Sequence, residues 1–353
     1  MRRIAGIILA VLLIGGVVVA VVAGRSSEDG TATKTVQAVI GSEKAEFFAD
    51  PDVVKALAAK GYTVKAETSG SWAMEGLDLE GYDLALPSSQ APAVELAAKY
   101  KVTGTLPRLF YSPLVVVAHR NAAEVLAANK LATLDTEHRG TFTMAAYLAA
   151  ARADRTWQQL KGAQKYGELT GTLYLSSTDP ETSNSGALYL AAASYVENGG
   201  KVVATDAEIG RTAPLLQKLV RVQGAQQSSS DAVFRDFVSG AGNPLVVVYE
   251  SQVASLLAEG QQPDDLVVLY PDTTVNSDHT VVPLTEKGNA VAALLSQDKR
   301  LRELAARHGF RPQGGAAEFA SDTTYLKQEL TGVHQAAVPT SEVLHELARR
   351  ARG

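Results

Sequence analysis

The sequence predicts an α/β fold of two lobes, and three observations lead to this prediction. The chain has 353 residues, which is too long for one ordinary core and suits two lobes of about 120 to 150 residues each. Short apolar segments alternate with helical patterns, as is typical of open parallel sheets. Several of the apolar segments end in hydroxyl side chains, and ligands of such sheets bind at the carboxyl ends of the strands.

The N-terminal segment is predicted to cross or enter a membrane. Residues 4–23 are apolar or glycine throughout, which at helical rise matches the bilayer core of about 30 Å. Arg2 and Arg3 precede this run, so the positive-inside rule leaves the N-terminus in the cytoplasm and the rest of the chain outside. Residues 1–28 are predicted as a single-pass anchor of the cell membrane, or as a signal segment whose cleavage would release a secreted protein. Residues 29–35 form a short polar linker.

Composition narrows the classes of partner and chemistry. The chain has no cysteine, which removes disulfides, thiolate metal sites and a lipid-modified cysteine anchor. The net charge is -5, so nucleic acid is not an expected partner. The six histidines lack the close pair spacing of metal sites, and we predict no metal and no cofactor.

Predicted strands of the first part of the chain each run into serines. The pairs are residues 36–40 before Ser42, residues 62–67 before Ser69 and Ser71, and residues 82–86 before Ser88 and Ser89. A helix capped by Asp50 and closed by Gly61 separates the first two strands. Because the carboxyl ends of parallel strands share one sheet edge, these serines are candidates for one polar cleft.

A fourth strand end lies in residues 172–186. A short apolar strand is predicted to lead through Thr178 into a helix over residues 186–198, with Ser183 or Ser185 as N-cap and Gly199 as the stop. A helix start that follows such a loop presents backbone N–H groups to a polar or anionic ligand. A well-made turn and cap is the alternative interpretation. Recurrence at four strand ends favours a shared cleft, with Thr178, Asn184 and Ser185 on one wall.

Proline introduces two further apolar strands, residues 114–118 and 245–249, which bracket about 130 residues. This predicts a chain that leaves one lobe, builds a second and returns. The predicted units are residues 36–113 and 245–320 for the first lobe, 114–244 for the second lobe, and 321–353 for a C-terminal helical extension. In the second part of the first lobe and in the C-terminal extension, Thr285, Asp298 and Ser341 are the predicted helix caps. Residues 226–230, a run of Gln and Ser, are predicted to be a loop or cap.

Five segments together resemble bacterial extracellular solute-binding proteins, the two-lobed receptors of ABC transporters, in the subgroup that binds phosphate, sulfate and molybdate. The segments are Gly41-Ser42-Glu43, Ser69-Gly70-Ser71, residues 110–116, residues 177–186 and residues 243–251. The resemblance, which spans residues 36–312, implies a periplasmic-binding-protein-like (type II) fold with two crossover strands that closes on its ligand by hinge motion. It also implies an ABC permease as partner. The ligand contacts that it implies are Ser42, Ser71, Ser88, Thr178, Asn184 and Ser185.

The charge of the ligand is left open by Glu250. If Glu250 faces the cleft, its carboxylate favours a cationic or protonated ligand; alternatively it caps the helix that follows. The sequence lacks a Gly-x-Ser-x-Gly elbow, a phosphate-cradling loop and a dinucleotide fingerprint, so we do not predict an enzyme. The expected function is capture of a small polar or anionic solute outside the cytoplasm. The alternative is a membrane-anchored interaction or sensory module that keeps the fold without transport.

Overall fold

A computed structural model describes residues 33–261, 263–314 and 324–353. The predicted membrane segment at residues 1–28 and the first part of the predicted linker, residues 29–32, lie outside the described residues. Over the described ranges, no helix combines the length and the hydropathy needed to cross a bilayer.

The described residues form thirteen strands and twelve α-helices. The strands are β1 Lys34–Ile40, β2 Tyr62–Thr68, β3 Leu84–Leu86, β4 Arg108–His119, β5 Ala132–Leu134, β6 Arg139–Phe142, β7 Leu245–Tyr249, β8 Leu266–Pro271, β9 Thr273–Thr274, β10 Asn276–Thr280, β11 Val282–Pro283, β12 Arg311–Pro312 and β13 His334–Gln335. The helices are α1 Ala45–Ala49, α2 Pro51–Ala59, α3 Gln90–Lys99, α4 Arg120–Ala128, α5 Met144–Arg152, α6 Asn184–Glu197, α7 Asp206–Arg221, α8 Ser230–Val238, α9 Glu250–Ala258, α10 Glu286–Gln297, α11 Lys299–Arg307 and α12 Ser341–Arg352.

The first lobe is built on a four-stranded sheet in the order β11-β3-β1-β2. Strand β1 pairs in parallel with both β2 and β3, whereas β11 is antiparallel to β3. Apolar side chains cover both faces of the sheet: Val36 and Ile40 pack in one cluster and Val39 in another. Strands that are buried on both faces read as continuous apolar runs, which is why β1 was recognisable in the sequence.

The second lobe is built around β4, β7, β8, β6 and β5. The second half of β4 pairs antiparallel with β7 and β8, and β8 continues the sheet in parallel to β6. One face packs on α4 to α7 through residues such as Leu188 and Leu216, and the other packs on α8 and α9 through residues such as Phe237 and Val253.

Two strands, β4 and β10, connect the lobes. The first half of β4 pairs with β10 and β12, on the side of the first lobe, and β10 leads directly to β11 in the first sheet. The sequence analysis predicted that the chain returns to the first lobe at residue 245. Hydrogen bonding pairs both β7 and β8 with β4, in the sheet that also holds β6 and β5. Proline before an apolar run indicates where a strand starts, but long-range pairing decides which sheet it joins.

The segment before α6 differs from its predicted strand. Ser176 makes one isolated parallel bridge with Val246, and no regular strand forms over residues 172–175. Helix α6 begins at Asn184 with Ser183 as N-cap, one of the two caps that the sequence predicted. The predicted caps Asp50, Thr285 and Asp298 are confirmed, since each side chain accepts a backbone N–H of its helix.

Helix α12 contacts both lobes. Leu347 and Ala351 belong to the core of the second lobe, whereas Leu344 packs in a separate cluster with Trp72 of the first lobe and Ala187 of α6. Its N-cap is Thr340 and not the predicted Ser341. Ser341 Oγ donates instead to the carbonyl of Ala91 in α3, at 3.4 Å.

Candidate functional site

The serine-bearing strand ends of the first lobe meet at one edge of its sheet. Because β2, β1 and β3 are parallel, their carboxyl ends point the same way. The structure therefore brings together Ser42, Ser69, Ser71 and Ser88, all of which line one cavity between the lobes. This is the shared cleft that the sequence predicted at these strand ends.

A hydrogen-bond network links the hydroxyls of this edge. Ser71 Oγ accepts from the backbone N–H of Ser88 at 2.9 Å and donates to Ser88 Oγ at 3.1 Å. Ser88 Oγ in turn donates to Glu43 Oε1 at 2.6 Å. Each hydroxyl thus holds the next in a fixed orientation, and the chain of donors ends on a carboxylate.

The opposite wall is the start of α6 in the second lobe. Asn184, the first residue of that helix, is 1% exposed. Its Oδ1 accepts from Ser89 Oγ at 2.5 Å, and its Nδ2 donates to Tyr249 Oη at 3.0 Å and to Ser277 Oγ at 3.2 Å. The predicted site residue Asn184 is therefore at the contact between the lobes, with its amide satisfied by both.

The start of α8 also reaches across the cleft. Ser229 Oγ donates to Ser42 Oγ at 3.1 Å, and Ser228 and Ser230 line the cavity. These residues belong to the run of Gln and Ser at 226–230 that the sequence predicted to be only a loop or cap. The same run thus supplies part of the second wall, with hydroxyls that face those of the first lobe.

Backbone atoms of the two lobes also come close together. A Cβ atom at Gly70 would lie 2.3 Å from the carbonyl oxygen of Thr182, and that carbonyl accepts from the N–H of Ala73 at 3.2 Å. The cavity that remains between the walls measures about 10 Å³, enough for about one water molecule. The structure is therefore a closed arrangement of the lobes.

Three helices begin at the cleft without a side-chain N-cap, as do α4 and α5 elsewhere in the described residues. The N-caps of α3, α6 and α8 are Ser89, Ser183 and Ser229, and none of these side chains caps its own helix. Five helices away from the cleft have N-cap side chains that accept a backbone N–H: Asp50, Thr205, Thr285, Asp298 and Thr340. The cleft thus gathers three helix starts whose positive dipole ends are not neutralised by their own caps.

A buried charged group lies behind the serines. Lys44 is 0% exposed, and its ammonium donates to Glu43, to Ser88 Oγ at 3.2 Å and to His279 Nδ1 at 3.1 Å. Burial lowers the pKa of Lys44, although the Glu43 carboxylate opposes that shift. Burial and the neighbouring Lys44 hold the pKa of His279 well below its usual value, so His279 is neutral and accepts from the ammonium.

Asp231 in the first turn of α8 has a strongly raised pKa. Burial raises the pKa of its carboxyl to about 7, and the negative charges of Glu43 and Glu46 add to the shift. Gln252 Nε2 donates to Asp231 Oδ1 at 2.7 Å. A carboxyl that holds its proton near neutral pH therefore lies close to the Glu43 carboxylate.

Two of the predicted ligand contacts act within their own loop. Thr178 Oγ1 accepts from the N–H of Gly186 at 2.8 Å and lies 2.7 Å from Ser185 Oγ. Neither side chain lines the cavity. For Thr178 and Ser185 the structure thus corresponds to the turn-and-cap alternative, because their hydroxyls are used to hold the start of α6.

Glu250 does not face the cleft, and this corrects the expectation that it does so. Its carboxylate is 0% exposed and pairs with Arg311, whose Nε and Nη2 lie 2.6 and 2.8 Å from the two oxygens. Tyr270 Oη donates to the same carboxylate. The side chain is therefore buried in the interior, where an arginine that is distant in sequence neutralises it.

Sequence reasoning missed several residues of the cleft. Glu43, Ser183, Ser228, Ser230 and Tyr249 line the cavity, and Lys44 and His279 lie directly behind it. The signal for Glu43 and Lys44 was available, since both follow Ser42 at the end of β1. His279 carried no local signal, because only the pairing of β10 with β4 brings it to this place.

No protein-family model and no curated protein matches this chain. Among solved structures it is similar to a periplasmic thiamin binding protein, with 14% identity, a TM-score of 0.59, and coverage of 92% of this chain and 100% of that chain. It is similar to the substrate binding protein of an ABC transporter from Agrobacterium tumefaciens, with 14% identity, a TM-score of 0.57, and coverage of 92% and 96%. The sulfate-binding protein of Mycobacterium tuberculosis matches at 16% identity and a TM-score of 0.53, over 80% and 88%.

These similarities confirm the class of fold. The chain has the mixed α/β, two-lobed, periplasmic-binding-protein-like architecture of the substrate-binding proteins of ABC transporters. The resemblance found in the sequence motifs is thus confirmed for the fold.

Proposed function

We propose that this protein captures a small polar or anionic solute outside the cytoplasm, in the cleft between its lobes, and delivers it to an ABC-type permease. One observation carries the proposal: hydroxyls, an amide and three helix starts from both lobes converge on a single cleft. We expect the two lobes to close around the solute by a hinge motion, as in transport proteins that have this fold. We do not propose an enzyme, since the structural neighbours are binding proteins of transporters.

The proposed contacts are Ser42, Ser69, Ser71 and Ser88 from the first lobe and Asn184 from the second. Hydroxyl and amide groups replace the water shell of a polar solute when the lobes close on it. Glu43 and Tyr249 line the same space and join the proposed site. Thr178 and Ser185 are proposed to act on the solute only indirectly, by fixing the start of α6.

The experiment that tests this function has two steps. The full-length protein is analysed by native mass spectrometry for co-purified solute, and candidate solutes are then added in a thermal-shift panel. We expect a bound solute to raise the melting temperature. We expect Ser71→Ala to weaken binding of that solute at least tenfold, whereas Ser296→Ala near the end of α10 leaves the affinity unchanged. If no solute in the panel stabilises the protein, the proposal fails.

A second function class is favoured by α12. Because this helix packs on both lobes, it would suit a membrane-anchored interaction or sensory module that keeps the lobes together and does not transport. Small-angle scattering of the full-length protein, with and without the solute found above, separates the two. A radius of gyration that changes when the solute binds supports capture. If no solute in the panel stabilises the protein and none changes its radius, the interaction module is supported.

The site of action is proposed to be the outer face of the cell membrane. The apolar run at residues 4–23 is the proposed anchor, since the chain has no cysteine for a lipid. Membrane fractionation followed by carbonate extraction tests this, because a protein whose anchor is retained stays with the membrane and a cleaved one is released.

A further inference from the structure

The carboxylate of Glu43 lies inside the cleft. Its side chain is 3% exposed, and one of its oxygens accepts from Ser88 Oγ at 2.6 Å and pairs with the ammonium of Lys44. The same carboxylate faces the cavity that Asn184 and Ser230 line from the second lobe. A negatively charged group of the chain itself thus occupies the donors of the proposed site.

The backbone at Gly41 is shaped around this carboxylate. A Cβ atom at position 41 would lie 2.3 Å from Ser88 Oγ and 2.7 and 2.8 Å from the two oxygens of Glu43. Real Cβ atoms do not approach other atoms so closely, so a larger residue at position 41 would displace the ends of the Glu43 and Ser88 side chains. Glycine thus leaves room here for a planar group with two oxygens, and we call this space the cradle.

The charge balance behind the cradle requires one negative charge. Lys44 is buried, and its three N–H groups are directed to Glu43, Ser88 and His279. Because His279 is neutral, Glu43 is the anionic partner among these three groups. A buried ammonium without a counter-charge is strongly destabilising or loses its proton, so a negatively charged occupant of the cradle is what keeps Lys44 charged.

We infer that Glu43 is an internal substitute for the solute, and that the solute is a small oxyanion with a single negative charge, such as a carboxylate, which replaces Glu43 at Ser88 and Lys44. This inference rests on the proposed function and names the class of its solute. On opening, the Glu43 side chain swings out of the cradle, and the incoming oxyanion takes the two donors that it leaves.

The neighbourhood of the cradle favours one negative charge over two. Lys44 compensates a single charge, and the carboxyl of Asp231 lies near enough to Glu43 for the two to interact electrostatically. A second charge on the solute would exceed the single positive charge that Lys44 supplies. The starts of α6 and α8 stabilise a single anion without adding a full positive charge.

Chemical rescue tests the inference. Glu43→Ala leaves Lys44 without its counter-charge and opens the cradle, so its melting temperature should fall below that of the wild type. Sodium formate or acetate should restore it in a saturable manner, and sodium chloride at the same ionic strength should not. The matched control is the double variant Glu43→Ala with Lys44→Met, which has the open cradle without the ammonium and should not respond to formate.

Glu43→Gln keeps the test decisive should the alanine variant fail to fold, because the amide preserves the shape and removes the competing charge. Isothermal titration should show that it binds acetate at least tenfold more tightly than the wild type. Equal affinity of the two proteins, rescue of the double variant, or sulfate bound more tightly than acetate would each overturn the inference.

The results also separate this inference from the proposed function. The inference is wrong, and solute capture is still supported, if the wild type binds some other solute while Glu43→Gln binds acetate no more tightly than the wild type does. Specific rescue of Glu43→Ala by formate, together with a wild-type protein that binds no solute, supports Glu43 as the occupant of an anion cradle and ends the transport proposal.

Discussion

Ser89 of the first lobe donates a hydrogen bond to Asn184 Oδ1 of the second lobe at 2.5 Å. Both side chains are buried, so the bond forms only when the lobes are together. The same amide donates to Tyr249 and Ser277. One side chain at the start of α6 therefore joins the first lobe, the second sheet and the strand β10 that connects them.

The first prediction concerns this junction. Asn184→Ala removes three buried hydrogen bonds, and stranding even one of the partners costs about 1–3 kcal/mol. We expect a lower melting temperature and a larger radius of gyration by small-angle scattering, because the closed arrangement is weakened. Asn198→Ala, at the other end of α6, is the matched control and should leave the radius unchanged. An Asn184→Ala protein with the wild-type radius would show that the junction does not hold the lobes together.

The second prediction concerns Thr178. Thr178→Val keeps the shape of the side chain but leaves the N–H of Gly186 without its acceptor, so we expect a loss of about 1–3 kcal/mol in the free energy of unfolding. Thr178→Ser retains the hydroxyl and should cost much less. Denaturant titration measures both. Solute affinity, measured well below the melting temperature, should change little, and a loss for Thr178→Val as large as that for Ser71→Ala would place Thr178 in the binding site.

The third prediction is a pH dependence that arises from Asp231. Its folded-state pKa of about 7 lies above the unfolded value of about 3.9, so proton binding stabilises the folded protein below about pH 4, and this stabilisation is lost as the pH rises through 7. Asp231→Asn keeps the acceptor for Gln252 and carries no charge. We therefore expect the variant to melt several degrees above the wild type at pH 8 and close to it at pH 4.

Asp236→Asn is the control for that experiment, because Asp236 is an exposed carboxyl on the same helix. Its melting temperature should follow the wild type at both pH values. A stability difference for Asp231→Asn that does not change between pH 4 and pH 8 would contradict the assignment, since a packing effect is independent of pH.

The fourth prediction concerns α12. Leu344 is 2% exposed and packs with Trp72 of the first lobe and with Ala187 and Ala191 of the second. Leu344→Ala should cost about 2–5 kcal/mol. Hydrogen exchange should also speed up at the residues around Trp72 and at the start of α6, since the helix ties both lobes. Val338→Ala, on an exposed side chain, is the control, and faster exchange confined to α12 itself would show that the helix does not link the lobes.

Sequence reasoning predicted the local elements well. Strand β1, helix α2 with its cap Asp50 and strand β7 were recognisable, because apolar runs and cap residues are local signals. The lobe to which β7 and β8 belong was not predictable in this way, since it depends on pairing with β4 across about 130 residues of chain. The predicted bounds of the lobes as whole units stay a prediction.

The candidate site was predicted in part for the same reason. Ser42, Ser71 and Ser88 follow parallel strands, so the fold alone brings them to one edge. Glu250 was misplaced because its partner Arg311 lies 61 residues further along the chain, and nothing local reveals that pair. The sequence pattern around Thr178 is compatible with a turn role and with a binding role. Only the hydrogen-bond geometry of the structure distinguishes the two.

Gly70 has a consequence for how far the lobes can approach. A Cβ atom there would lie 2.3 Å from the carbonyl oxygen of Thr182, so the two lobes meet main chain against main chain. A contact of this kind is a rigid stop, since no rotamer change can lengthen or shorten it. The fully closed distance is thus set by the peptide backbone itself, and different solutes would have to fit that distance instead of adjusting it.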